Sequence, residues 1–166
     1  EKILIPLNMN NTFYKIPVAE IRRLSKGVNG GRLNKKNIKI SDRDRQGRGY
    51  KLPAGGLITT PNDLSKFILT LMGKSDNKIL SNESLKLMQT PVTSIDSSVF
   101  YGLGLFITKN DSTTILGHGG SSSGYSSLFA FDTLTNNGVV LLRNYNKGKT
   151  NFDQSATNLL TQLSGR

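Results

Sequence analysis

Apolar side chains at Leu64, Phe67, Ile68, Leu71 and Met72 recur at i, i+3, i+4, i+7 and i+8, the spacing of one face of an α-helix. The start of that helix is marked by Thr60 in the N-cap position, Pro61 at the first helical residue and Asp63 where a capping carboxylate belongs. Gly73 stops it. A second, shorter helix is predicted after Ser81 as far as Gln89, with Leu85 and Met88 turned inward and Pro91 beyond its end. From Val99 onward the period changes to two, and residues 100–108, 114–119, 125–132 and 138–145 read as strands. Asn136-Asn137-Gly138 is read as the hairpin turn between the last two, because Asn-Gly supports the positive φ angles of a tight turn. A terminal helix begins near Thr150, with Asp153 placed to favour its dipole. Phe152, Ala156, Leu159, Leu160 and Leu163 form its apolar stripe.

Strands followed by a helix with one greasy face predict an α+β fold, an antiparallel sheet with the C-terminal helix packed on it. Residues 57–98 are the helical segment, and residues 99–166 carry the sheet strands and the terminal helix. Residues 1–17, with Pro6 and Pro17, read as a helix end followed by an extended connection. Residues 18–56 are rich in glycine, lysine and asparagine and form a basic, irregular excursion with a short strand at residues 36–40.

Charge sharpens the picture of that excursion. The net charge is +11, and Arg22, Arg23, Lys26, Arg32, Lys35, Lys36, Lys39, Arg43, Arg45, Arg48 and Lys51 are opposed there only by Asp42 and Asp44. An anionic partner would suit such a stretch. It lacks the interleaved aromatics of a base-stacking platform and matches no nucleic-acid-binding motif, so a solvated loop is the favoured reading and nucleic acid is not expected as a partner. Composition excludes other classes. With 36% hydrophobic and 20% charged residues the chain is globular rather than disordered. No apolar run approaches the roughly 20 residues of a membrane span. There is no cysteine and a single histidine, so disulfides, thiolate zinc sites and a cysteine nucleophile are excluded, and neither a metal nor another cofactor is expected. The chain opens at Glu1-Lys2-Ile3 with neither methionine nor signal peptide, and is expected to be processed or truncated.

The segment with the most chemical character is His118-Gly119-Gly120-Ser121-Ser122-Ser123-Gly124-Tyr125. Glycines beside a histidine on a strand weaken packing, and they suit a place where another backbone or a ligand comes close. The competing reading is a strand-end bulge with a partly exposed histidine.

Five segments in order settle the choice. Residues 3–12 (ILIPLNMNNT) resemble the "PLGM.nT" segment of the serine β-lactamase and penicillin-binding-protein family. Residues 53–64 (PAGGLITTPNDL) resemble its "aGGl.sT..Dl" segment, and residues 101–105 (YGLGL) its "yGlGw" strand. His118-Gly119-Gly120 matches the third catalytic motif, a Lys or His, a variable residue and a Gly. Residues 138–144 (GVVLLRN) resemble the "gvvvltN" strand. The chain is thus similar to the C-terminal section of a single β-lactamase-like domain, a partial β-lactamase/transpeptidase-like fold.

The resemblance implies two further motifs, S-x-x-K with the serine nucleophile and its lysine, and Y-x-N or Y-x-S, both ahead of Glu1. Within the chain, Ser75-Asp76-Asn77-Lys78 and Tyr125-Ser126-Ser127 fit these by letter alone, at the wrong places relative to the third motif. By resemblance, the N–H of Ser121 is one oxyanion donor, His118 lines the site opposite the serine, and Gly120 lets the substrate backbone approach. The hydroxyls of Ser121, Ser122 and Ser123 are then available to a substrate carboxylate or amide.

The implied function is that of a serine hydrolase acting on a D-Ala-D-Ala peptide, a β-lactam or an ester, with histidine in the third motif leaning towards peptidases and esterases. This chain alone is expected to be inactive. The alternative is a non-catalytic binding or interaction module on the same fold. Bacterial members of the family are mostly exported and act near the cell envelope, so the resemblance implies an exported, periplasmic or cell-envelope location in a bacterium. Their N-terminal strands pair with the strand equivalent to the one from Gly138 to Tyr145. That edge is therefore expected to take up the missing N-terminal half or a second copy of the chain.

Overall fold

The computed structural model describes residues 2–29, 32–33, 52–109, 113–122 and 124–165. The strand expected at residues 36–40, most of the basic stretch and Ser123 lie outside the described residues.

The N-terminal segment is a helical turn and no more. Leu7 N–H reaches Ile3 O at 3.1 Å and Met9 N–H reaches Leu4 O at 2.9 Å, and Asn8 then takes φ 52, the left-handed conformation that commonly ends a helix. The turn buries Leu7 and Met9, and Phe13 pairs with Ile58 in an isolated antiparallel bridge. A 3-10 helix at Val18–Arg23 buries nothing. Strands β1 (Val28–Asn29) and β2 (Arg32–Leu33) form a separate two-stranded ribbon. A single turn, α1 (Leu52–Gly55), precedes the main helices.

Helix α2 (Pro61–Leu71) starts as its cap residues demand: the Thr60 hydroxyl accepts from Asp63 N–H at 3.2 Å. The reciprocal half of the expected box does not form. The Asp63 carboxylate reaches away from the helix to Asn11 N–H at 2.7 Å and to the Thr12 hydroxyl at 2.9 Å, with the Lys66 ammonium at 3.2 Å. The N-terminal turn is thereby tied to the helix it precedes by some fifty residues. Gly73 at φ 70 ends the helix region as expected. Helix α3 (Asn82–Met88) is capped by Ser81, and Gln89 at its end donates to Leu71 O at 2.7 Å, joining the two helices.

The sheet is a six-stranded antiparallel meander in the order β3-β4-β5-β6-β7-β8. Its strands are β3 (Thr93–Ser94), β4 (Val99–Tyr101), β5 (Phe106–Lys109), β6 (Thr114–Ser122), β7 (Tyr125–Asp132) and β8 (Asn137–Arg143). Three sequence expectations change. The strand expected over residues 100–108 is a hairpin, β4 turning back into β5 through residues 102–105, with Gly104 at φ 78. The short strand β3 lies within residues 57–98, the segment expected to be helical. The last hairpin does form, but Asn137 and Gly138 belong to the strand and pair with Asp132 and Phe131. The turn is residues 133–136, with Asn136 at φ 57. It is organised by Asp132, whose carboxylate accepts from Leu134 N–H at 2.8 Å and the Thr135 hydroxyl at 3.0 Å. Gly138 serves packing instead: a Cβ there would lie 3.1 Å from Ile68 Cγ2 of α2.

Helix α4 (Phe152–Leu163), capped by Asn151, completes the chain. Period-two alternation along β6 and β7 feeds two cores. Leu116 and Phe131, with Leu105 and Ile107, pack under Ile68 and Leu71 of α2. Ile115, Leu128 and Ala130 pack under Ala156 and Leu160 of α4. Burying each such large apolar side chain stabilises by about 1.5–3 kcal/mol. The sheet is therefore covered on both faces, by α2 as well as by the terminal helix. Leu159 and Leu163, expected in the buried stripe of α4, are 39% and 59% exposed.

Candidate active site

His118 stands on β6 between two cross-strand environments. Its backbone pairs with Phe129 of β7. On the other side, β5 ends one residue short of it, at the Phe106–Gly117 pair. The imidazole is half-buried and lies against two aromatic rings, Phe106 at 5.3 Å and Tyr101 at 6.2 Å between centroids; those rings also meet each other edge to face at 4.8 Å. The two rings come from the β4–β5 hairpin.

The glycines around the histidine have different reasons. Gly117 is pressed against β7 so closely that an added Cβ would collide with the Phe129 carbonyl and touch the Ala130 α-carbon at 3.0 Å. A side chain there would force the strands apart just where the histidine is held. Gly119 is tight as well, since a Cβ on it would lie 3.1 Å from Leu128 Cδ1, the far end of a side chain that would have to give way. Gly120 is exposed, and a Cβ there would meet only Ser127 Oγ at an ordinary 3.7 Å. Packing within the described residues does not demand glycine at position 120; the missing side chain leaves space beside the strand.

The second half of β6, residues 118–122, pairs only with β7 among the described residues, since its register with β5 stops at Gly117. Alternate N–H and C=O groups of an antiparallel strand point to opposite sides, so this half presents backbone donors and acceptors along an open edge. Ser121 and Ser122 are exposed on it, and the Ser121 hydroxyl donates weakly to Tyr125 O at 3.3 Å. Ser123 lies outside the described residues. His118, Gly120, Ser121 and Ser122 thus share one short run of strand. The two letter-matches elsewhere are differently engaged. Ser75 exchanges hydrogen bonds with Asn77 in an exposed turn rather than opening a helix. The Tyr125 phenol donates to Ser25 O and accepts from Gly27 N–H. Among the described residues no three metal-binding side chains come together. An open concavity between α2 and α3, lined by Met72, Leu85, Lys86 and Gln89, contains none of the site residues.

Sequence reasoning missed Gly117, Tyr101 and Phe106 as the residues that set the histidine. The signal for Gly117 was present as a third glycine in Gly117-His118-Gly119-Gly120. The two rings belong to strands whose pairing only the fold reveals.

The β-lactamase family model matches residues 1–163. "Beta-lactamase-like protein 4" of Dictyostelium discoideum is 28% identical over 139 residues, which are 78% of this chain and 23% of that protein. The octameric penicillin-binding protein homologue from Pyrococcus abyssi superposes with a TM-score of 0.74 at 24% identity, covering 99% of this chain and 36% of that one. A class C β-lactamase superposes with a TM-score of 0.75 at 19% identity, covering 99% of this chain and 50% of that one. D-amino acid amidase from Ochrobactrum anthropi SV3 is 25% identical with a TM-score of 0.63, covering 86% of this chain and 41% of that one. The chain therefore spans about half or less of the length of the relatives it matches.

Proposed function

Since the chain belongs to the β-lactamase family, we propose that it supplies the third-motif wall of a serine hydrolase site, whose nucleophile and base come from sequence ahead of residue 1. The observation that carries this reading is the open edge of residues 118–122, with a half-buried histidine at one end, a glycine without a packing reason at its middle and exposed serines at the other. Acyl transfer requires a nucleophile, a base within hydrogen-bond reach and donors for the developing oxyanion. The strand edge suits the last requirement through the Ser121 N–H. His118, steadied by Phe106 and Tyr101, suits an electrostatic or hydrogen-bonding role beside the reacting carbonyl. Gly120 leaves room for the substrate backbone. The substrate class is an amide or ester acyl compound: a D-Ala-D-Ala peptide, a β-lactam or a small ester. The amidase and class C β-lactamase likenesses support the acyl-transfer class without selecting among these.

The test compares the full gene product with this chain. The full product is expected to hydrolyse a p-nitrophenyl ester or take up a fluorescent penicillin, and this chain alone to do neither. In the full product, His118→Ala should lower turnover on the order of a hundredfold while changing stability by about 1 kcal/mol or less. Labelling of Ser75 in the isolated chain, or wild-type turnover in the variant, contradicts the proposal.

A further inference from the structure

A histidine that takes part in chemistry is ordinarily aimed by a hydrogen bond on the ring nitrogen that does not react. The His118 imidazole makes no such bond among the described residues. Two aromatic rings lie against it instead, Phe106 with 43° between the planes and Tyr101 with 70°. Both of its nitrogens are thus left to a partner outside the described residues, and the direction of the imidazole is set by packing. No neighbouring strand flanks it on the β5 side, because that register ends at the Phe106–Gly117 pair.

The two rings close the β4–β5 hairpin, and that hairpin is seated on the helices. Tyr101 and Phe106 are a cross-strand pair, and just beyond them Gly102 N–H donates to Leu105 O at 2.8 Å. The turn rests on the C-terminal end of α3. Leu103 N–H donates to Met88 O at 3.2 Å, and a Cβ on Gly102 would collide with Met88 O and lie 3.1 Å from Thr90 O. Val92 N–H holds Tyr101 O at 2.9 Å. Gln89 in turn fastens that end of α3 to Leu71 O of α2. The place of the rings is therefore fixed from the helices as well as from the sheet. Phe106 is 40% exposed, so its ring supplies little to the core. We propose that the β4–β5 hairpin, seated on the end of α3 through Gly102 and Leu103, is the positioning element of the acyl site, and that Phe106 is the residue through which it aims the His118 imidazole. Phe106 is then a positioning residue, not a catalytic one. This inference rests on the acyl-transfer reading above.

The experiment uses the full gene product and p-nitrophenyl acetate. Phe106→Leu removes the ring and keeps an apolar side chain, whereas Phe106→Tyr keeps the ring. Gly102→Ala displaces the hairpin from α3 and alters neither ring. A reacting group misplaced by about 1 Å loses up to about a hundredfold in rate. Phe106→Leu is therefore expected to lower kcat by about tenfold, with KM within about twofold of wild type. Gly102→Ala should lower kcat in the same sense, and Phe106→Tyr should keep it within about twofold of wild type. The His118 ring protons, identified by their absence in His118→Gln, should shift in the NMR spectra of Phe106→Leu and Gly102→Ala as the ring current of Phe106 is lost or moved. In Phe106→Tyr they should stay near the wild-type position. Wild-type kcat in Phe106→Leu overturns the proposal, as does an equal loss in Phe106→Leu and Phe106→Tyr, or a loss carried by KM. Unshifted ring protons in Phe106→Leu overturn it too. If the wild-type product turns over neither this ester nor any β-lactam, the acyl-transfer reading fails and this proposal with it; turnover that Phe106→Leu leaves unaltered fails this one alone. Should Gly102→Ala not fold, the Phe106 pair, at an exposed position, decides.

Discussion

Asp63 ties the N-terminal turn to helix α2. Its side chain is fully buried, and it accepts from Asn11 N–H, the buried Thr12 hydroxyl and Lys66. Removing an acceptor from buried donors costs their desolvation without return. Asp63→Ala is therefore expected to destabilise the protein by about 2–4 kcal/mol, measured by urea or thermal denaturation. A loss under about 1 kcal/mol would mean that water or a neighbouring acceptor replaces the carboxylate. The sequence signalled a helix start at Thr60 and an acid at Asp63, and both are there. It did not signal that the acid bonds outward, since the partners lie about fifty positions away and nothing local distinguishes an inward cap from an outward tether. The same contrast holds at the site. His118 stood out among its glycines, whereas Phe106 and Tyr101 could be assigned to it only through the pairing of three strands.

At the scale of elements, periodicity located both main helices and the last two strands to within a few residues. It failed at residues 102–105 because Tyr101, Leu103 and Leu105 keep the alternation going through a turn. Gly102 and Gly104 were the available warning: a Cβ on the first would collide with Met88 O, and the second has φ 78. The β3–β4 hairpin carries its own organiser. Asp96 accepts from Ser98 N–H at 2.8 Å, Val99 N–H at 2.8 Å and the Ser98 hydroxyl at 3.1 Å. The Ser98 N–H first, then that of Val99 and the Ser98 hydroxyl, hold the carboxyl below its ordinary value of 3.8. A depressed folded pKa means that this support is complete above the unfolded value and is lost as pH falls through the folded one. The Ser98 and Val99 amide resonances should therefore titrate together with a midpoint below 3.8, followed by NMR, and the transition should vanish in Asp96→Ala. A midpoint at or above the ordinary value would mean that the amides are not bonded to the charged carboxylate.

For the whole molecule, the sheet has a covered face on each side, but its β8 side pairs only with β7 among the described residues. The expected edge from Gly138 to Tyr145 is shorter than the sequence suggested. The strand ends at Arg143, which folds back to donate to Tyr145 O at 2.8 Å and stacks on Phe152 with 4.5 Å from Cζ to the ring centroid. Asn144 and Tyr145 are engaged by the segment leading into β1: Asn144 Nδ2 donates to Lys26 O at 3.0 Å, Asn144 O accepts from Val28 N–H at 2.8 Å, and Tyr145 bridges Val28. Val139 through Leu142 remain as an apolar edge, the kind that templates further pairing. The isolated chain is expected to self-associate through it, more strongly as salt screens the +11 charge over about 8 Å. Sedimentation velocity tests this, and Leu142→Lys, at a position already 37% exposed, should shift the distribution towards monomer. A monomer at all salt concentrations would show that the edge is tolerated.

The meander has one further consequence, in time rather than in space. Every strand from β3 to β8 pairs with its neighbours in the chain, so each pairing closes a short loop and the entropy of closure stays small. The segment of residues 25–28 and the N-terminal turn are the opposite case. The Tyr125–Ser25 and Asn144–Lys26 bonds span 100 and 118 positions, and the Asp63–Asn11 bond spans 52. Such contacts cannot form until the surfaces that receive them exist. On refolding, pulse-labelled amides of β6 and β7 should become protected ahead of those of residues 26–28. Residues 26–28 would then be among the last parts of the molecule to take shape.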